Sequence, residues 1–154
     1  MRPSEVDWAK RTITRKRHKT EDSERVPTVK YALWEETFRL LTRLRSQSGD
    51  LLLLSEAGEP LYLDGKVGDK ATLYDRIKSQ WRDHFKRGRK KPYTLKQFRF
   101  FGADLLKEDI QYRSYRDPFL GHAPRSTGDK SYSSVEDVSA ACRYLEELFY
   151  QVQT

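Results

Sequence analysis

The sequence predicts a mostly α fold with a small β-hairpin, an α+β domain. Two observations carry this. Apolar residues recur at three- and four-residue intervals in four separate stretches, the period of a helix packed on one face. Near the N-terminal end, two short β-prone runs flank a polar spacer, the pattern of a hairpin with an exposed tip.

The elements follow in order. Arg11–Arg15, with Thr12, Ile13 and Thr14, and Arg25–Val29 are the two predicted strands, and Lys16–Glu24 forms the tip between them. Ala32–Ser46 is predicted helical, with Trp34, Phe38, Leu41 and Leu44 on one face. Leu51–Leu54 reads as a short strand or buried extended segment, closed by the turn Ala57-Gly58-Glu59-Pro60. Asp69 is a candidate N-cap for a helix to about Lys86, with Leu73, Ile77, Trp81 and Phe85 in a stripe. The run from Lys86 to Pro92 breaks it. Thr94 and Gln97 then form a capping box for a helix carrying Phe98, Phe101, Leu105 and Leu106. A short helix is expected over Tyr112–Leu120. Ser133 with Glu136 is the expected cap of a last helix, with Val135, Val138, Cys142, Leu145, Phe149 and Val152 on its apolar side.

At 154 residues the chain fits one domain. Apolar residues make up 36% and mean hydropathy is −0.88, thin for a self-sufficient core. Aromatic residues at 12% argue against a disordered chain. The longest wholly aliphatic run, Leu51–Leu54, is far too short to span a bilayer, so no membrane partner is expected. No apolar stretch follows Met1-Arg-Pro-Ser, and Cys142 alone allows neither an internal disulfide nor a cysteine-based zinc site. The expectation is a cytoplasmic protein.

Charge is uneven. The net +7 arises from 30 Lys+Arg against 23 Asp+Glu. Residues 76–99 hold ten Lys/Arg and one acid, Asp83, whereas residues 133–154 hold Arg143 alone against four acids. This points to an anion-binding face and a separate acidic end. His18, His84 and His122 are far apart, and neither a zinc-protease motif nor a glycine-rich phosphate loop occurs. What remains is a set of cations and phenols.

Three stretches carry a more specific pattern: Thr94-Leu-Lys-Gln-Phe-Arg99, Phe119-Leu-Gly-His-Ala-Pro-Arg-Ser126 and Asp129-Lys-Ser-Tyr132. They resemble the C-terminal part of the catalytic domain of the tyrosine recombinase (phage integrase) family. That family has an (H/K)xxR helix, then an LGH helix start, then a nucleophilic tyrosine nine or ten residues on; here His122 and Tyr132 are ten apart. Arg15-Lys-Arg-His-Lys19-Thr20 followed by Val26-Pro27 and Leu33-Trp34 is similar to the family's lysine-bearing hairpin and the helix after it. The resemblance runs from about Val6 to the end.

It implies a truncated tyrosine-recombinase-like catalytic domain over residues 6–154 without a core-binding domain, acting on double-stranded DNA in recombination or integration. Tyr132 would be the nucleophile that forms a 3′-phosphotyrosyl link, with no metal and no cofactor. Arg99 would be the second family arginine, Lys96 and His122 phosphate contacts, and Lys19 the general acid for the leaving 5′-oxygen. Arg15, Arg17, Arg87, Arg89, Lys90 and Lys91 are the expected non-specific DNA contacts. The family's first catalytic arginine has no counterpart here, since Arg2 lies in the wrong context. Two outcomes therefore stay open: an enzyme, or a catalytically inactive DNA-binding or partner-binding remnant. The segment after the tyrosine is expected to dock either on its own chain or on a neighbouring protomer, the latter giving a homo-oligomer through the C-terminal helix.

Overall fold

The computed structural model describes residues 1–16, 26–47, 49–67, 70–87, 93–122 and 135–151. Among these residues the fold is mixed α+β, with five α-helices, a four-stranded sheet and a separate two-stranded hairpin.

The four-stranded sheet is ordered β1 (Val6–Asp7), β2 (Thr12–Lys16), β3 (Thr28–Ala32) and β6 (Glu136–Asp137). β2 and β3 are the expected hairpin, antiparallel from Thr12 opposite Ala32 to Lys16 opposite Thr28. The second strand starts three residues later than Arg25. Pairing puts Ile13 and Val29 into the core, at 6% and 1% exposure.

Helix α1 spans Glu35–Leu44, inside the expected 32–46, because Ala32 belongs to β3 and Arg45 is extended. Its first free amide, on Glu35, donates to Glu146 Oε1 at 2.5 Å, a cap supplied from across the chain. Leu41 is buried with Val6, Ile13 and Leu52, while Leu44 is exposed and does not join that face. The Leu51–Leu54 segment forms no strand; it bends at Leu52, which is buried, and makes an isolated bridge from Leu54 to Pro60 around Gly58. Gly58 has φ +73°, a left-handed turn conformation that favours glycine.

The expected helix from Asp69 is corrected. Lys70–Asp75 is a strand, β5, paired antiparallel with β4 (Tyr62–Val67), and α2 spans only Arg76–Arg87. Leu73 therefore belongs to the hairpin rather than to a helical stripe. Asp69 lies outside the described residues, and the capping carboxylate is that of Asp75, just before the helix, which accepts from the Lys78 amide at 2.8 Å. Helix α3 (Leu95–Glu108) starts on the expected capping box. Thr94 Oγ1 accepts from the Gln97 amide at 3.2 Å, and Gln97 Oε1 accepts from the Thr94 amide at 2.7 Å. Its core face differs from expectation: Gly102, Ala103 and Leu106 are buried, and Phe98 and Phe101 are about half exposed.

A 3-10 turn at Arg113–Tyr115 leads into α4 (Arg116–Phe119). Gly102 lets α4 approach α3, since a Cβ there would lie 3.3 Å from Phe119 Cζ. The last helix, α5, spans Ser139–Gln151; the expected cap Ser133 and residue Val152 lie outside the described residues. Glu136–Asp137, expected inside the helix, instead forms β6, parallel to β3. Asp137 then caps α5 by accepting from the Ser139 amide at 2.9 Å. Helix α5 docks on its own chain. Val138 and Cys142 pack on Val29, and Ala141 and Leu145 pack on Leu106. Trp34 Nε1 donates to the Cys142 carbonyl at 2.9 Å, tying the start of α1 to the middle of α5. No helix among the described residues is long and apolar enough to cross a membrane.

Candidate functional site

The end of α4 is where the cation-bearing elements converge. Helix α4 stops because Gly121, at φ +60°, turns the chain left-handed; its amide donates to the Pro118 carbonyl at 2.7 Å. The His122 amide donates to the Asp117 carbonyl at 3.0 Å, completing the helix stop. Leu120 and Gly121 are buried and His122 is half-buried.

Two side chains hold the carbonyls that this turn presents. Arg99, from α3, donates through Nη2 to the Leu120 carbonyl. Tyr31, from β3, donates its hydroxyl to the Phe119 carbonyl at 3.2 Å. The Tyr31 ring also meets the Phe119 ring edge-on at 6.2 Å. Helix, strand and turn are thus joined at adjacent backbone atoms.

Electrostatics links a third element. Burial pushes the Tyr31 phenol above its ordinary range, while the positive charges of Arg99 and Arg15 pull the other way. Arg15 stands on β2 opposite Val29, two residues from Tyr31. Arg15 and Arg99, far apart in sequence, therefore act on the same phenol. Lys96 is exposed one helical turn before Arg99, its ammonium 5.7 Å from the Phe100 ring centroid.

Of the sequence-predicted residues, Arg99 and His122 meet at one turn, Arg15 is at its edge, and Lys96 shares the helix of Arg99. Arg87 ends α2. Tyr132, Lys19, Arg17, Arg89, Lys90 and Lys91 lie outside the described residues. Tyr31 was missed by sequence reasoning. Its signal is the strand alternation that places it opposite Ile13, but only the fold brings Phe119 to its hydroxyl.

Guanidinium, ammonium and imidazole groups are cationic donors of the kind that suit a phosphate. Among the described residues, no group of three His, Cys, Asp or Glu could hold a metal ion. A cavity of about 620 Å³ lies elsewhere, lined by Lys10, Arg11 and Arg143 together with Glu35, Glu146 and Glu147. Its balanced charge gives it no preference for an anion. Comparisons with protein-family models, curated proteins and solved structures return no match for this chain.

Proposed function

We propose that this chain breaks and rejoins DNA in the manner of the tyrosine recombinases, corresponding to the C-terminal part of their catalytic domain. The observation that carries the reading is the bond from Arg99 to the Leu120 carbonyl. It joins the Lys96-x-x-Arg99 helix to the Leu120-Gly121-His122 turn, the two motifs that the family uses on one phosphate.

In this reading the Tyr132 oxygen attacks the phosphorus of a DNA backbone phosphodiester. A P–O bond to tyrosine forms as the P–O5′ bond breaks; the phenol gives up its proton to solvent and Lys19 supplies one to the departing oxygen. Charge gathers on the non-bridging oxygens and is met by Arg99, Lys96 and His122. Arginine suits this place because it stays charged and grips two oxygens. Religation reverses the step without ATP, because the phosphotyrosyl bond retains the phosphodiester energy.

A second reading is a catalytically inactive DNA-binding or partner-binding remnant. The same bond favours it in one respect, since it engages one nitrogen of the Arg99 guanidinium on the chain's own backbone. One experiment separates the two. The full chain is incubated with a nicked duplex that releases a short strand after cleavage, and denaturing gels are read for a protein–DNA adduct. The enzyme reading predicts an adduct for wild type, none for Tyr132→Phe, and at least a tenfold slower yield for Arg99→Lys, as losing one charge-stabilising donor implies. No adduct from any of the three, with salt-sensitive duplex binding intact in all, selects the remnant.

A further inference from the structure

The phosphate-facing cluster leaves an aromatic ledge on the neighbouring surface without a role. Trp81 and Phe85 of α2 pack at 4.9 Å between ring centroids, and Trp81 meets Phe98 of α3 in an edge contact at 5.4 Å. Tyr93 closes the row, 6.2 Å from Phe98, and its carbonyl accepts from Trp81 Nε1 at 2.6 Å. This row is not core. Tyr93 is 65% exposed and Phe98 49%, with Trp81 and Phe85 half-buried beside them.

Charge decides what such a ledge takes. Residues 76–99 carry ten Lys/Arg and one acid, and that acid, Asp83, lies 3.6 Å from Arg82. By helix position Lys78 and Arg82 border the Trp81–Phe85 stripe, and both are exposed. A second copy of this chain would set one cationic surface against another. An aliphatic protein groove would find few aliphatic partners here. Rings rimmed by cations suit a polyanion that also offers flat apolar faces. Duplex DNA keeps its base faces stacked inside, whereas a single strand exposes them together with its phosphates.

We infer that the Trp81–Tyr93–Phe98 ledge binds single-stranded DNA, stacking an unpaired base on Tyr93 and Phe98 while Lys78 and Arg82 meet the backbone. The choice of DNA over RNA rests on the function proposed above, because the ledge continues along the helix that carries Lys96 and Arg99. A strand broken next to those residues has an unpaired end, and the ledge would keep it near for rejoining.

The test is an anisotropy titration of the full-length chain with a labelled 15-nucleotide oligo-dT, its abasic counterpart, the RNA counterpart and a blunt duplex. Wild type should bind oligo-dT. Tyr93→Ala and the abasic strand should each weaken binding roughly 5- to 150-fold, the range that one stacked base contributes. Tyr93→Phe keeps the ring and should restore affinity, and duplex binding should stay within about twofold. Phe98→Ala disturbs packing on Trp81, so Tyr93→Ala, at the most exposed ring, is the deciding variant; circular dichroism checks its fold. Equal binding of the abasic strand, preference for the RNA strand, or unchanged affinity of Tyr93→Ala would overturn the inference. So would a shift in self-association, rather than in oligo-dT binding, caused by Tyr93→Ala. None of these outcomes depends on covalent chemistry at Tyr132, so the ledge and the cleavage reading can fail separately.

Discussion

Arg99 and Tyr31 do the same thing from opposite sides: each donates to a carbonyl at the end of α4. A charged donor contributes about 1.5–3 kcal/mol and a neutral hydroxyl about 1 kcal/mol. The arginine therefore holds the turn more strongly, while the tyrosine sets the distance between β3 and α4. Tyr31→Phe keeps the ring contact with Phe119 and removes only the hydroxyl. It should lower Tm by about 2–4 °C, as the loss of about 1 kcal/mol does in a chain of this size. Thermal unfolding checks this, and an unchanged Tm would show that the hydroxyl contributes nothing to the turn. The buried Cys142 thiol is pushed up to about 11, mainly by desolvation beneath α5, consistent with a packing role.

Among the elements, β6 and α5 show most plainly how a nonlocal contact decides a boundary. Burial pushes the Asp137 carboxyl up, but Lys30 at 2.7 Å and the Ser139 amide at 2.9 Å hold it well below its ordinary value, at about 2. A carboxylate with a depressed folded pKa stabilises the fold above its unfolded pKa of 3.8 and loses that contribution as pH falls through 2. Asp137→Asn can still cap Ser139 but cannot pair with Lys30. The Asp137 side chain is 48% exposed, so the ion pair contributes no more than about 0.5–1 kcal/mol. Asp137→Asn should therefore lower Tm by about 1–4 °C at pH 7, with the difference from wild type closing between pH 4 and 2. A gap that stays constant over that range would rule out the ion pair as its source.

The same element scale explains what the sequence made legible. The Thr94–Gln97 capping box was readable because both partners sit within one turn. The hairpin was readable because its two strands are close in sequence. The start of α5 was not, since Glu136 and Asp137 become strand only when Val29 and Lys30 are beside them. Asp69 reads as a cap because the four-residue spacing of Leu73, Ile77 and Trp81 fits a helix, yet Leu73 pairs with Asp64. At the site, Lys96, Arg99 and His122 were legible through motif spacing. Tyr31 was not, because its partner carbonyl lies 88 residues away.

At the scale of the molecule, the thin apolar fraction is met among the described residues by three small buried clusters. Helix α5 contributes to two of them, so its apolar face is used within the chain. Glu146 of α5 caps Glu35 at the start of α1, and most of the positive charge lies apart from it in residues 76–99. This separation of charge fits a chain that meets a DNA backbone with one region and holds itself together with another. In the proposed reaction Tyr132, one of nine tyrosines, is the nucleophile toward that backbone. That role is tested most directly by digesting the protein–DNA adduct formed on a nicked duplex and locating the nucleotide-bearing peptide by mass spectrometry. The 3′-phosphonucleotide is expected on Tyr132 alone; its appearance on Tyr31, Tyr93 or any other tyrosine, or on no peptide, would overturn the proposed reaction.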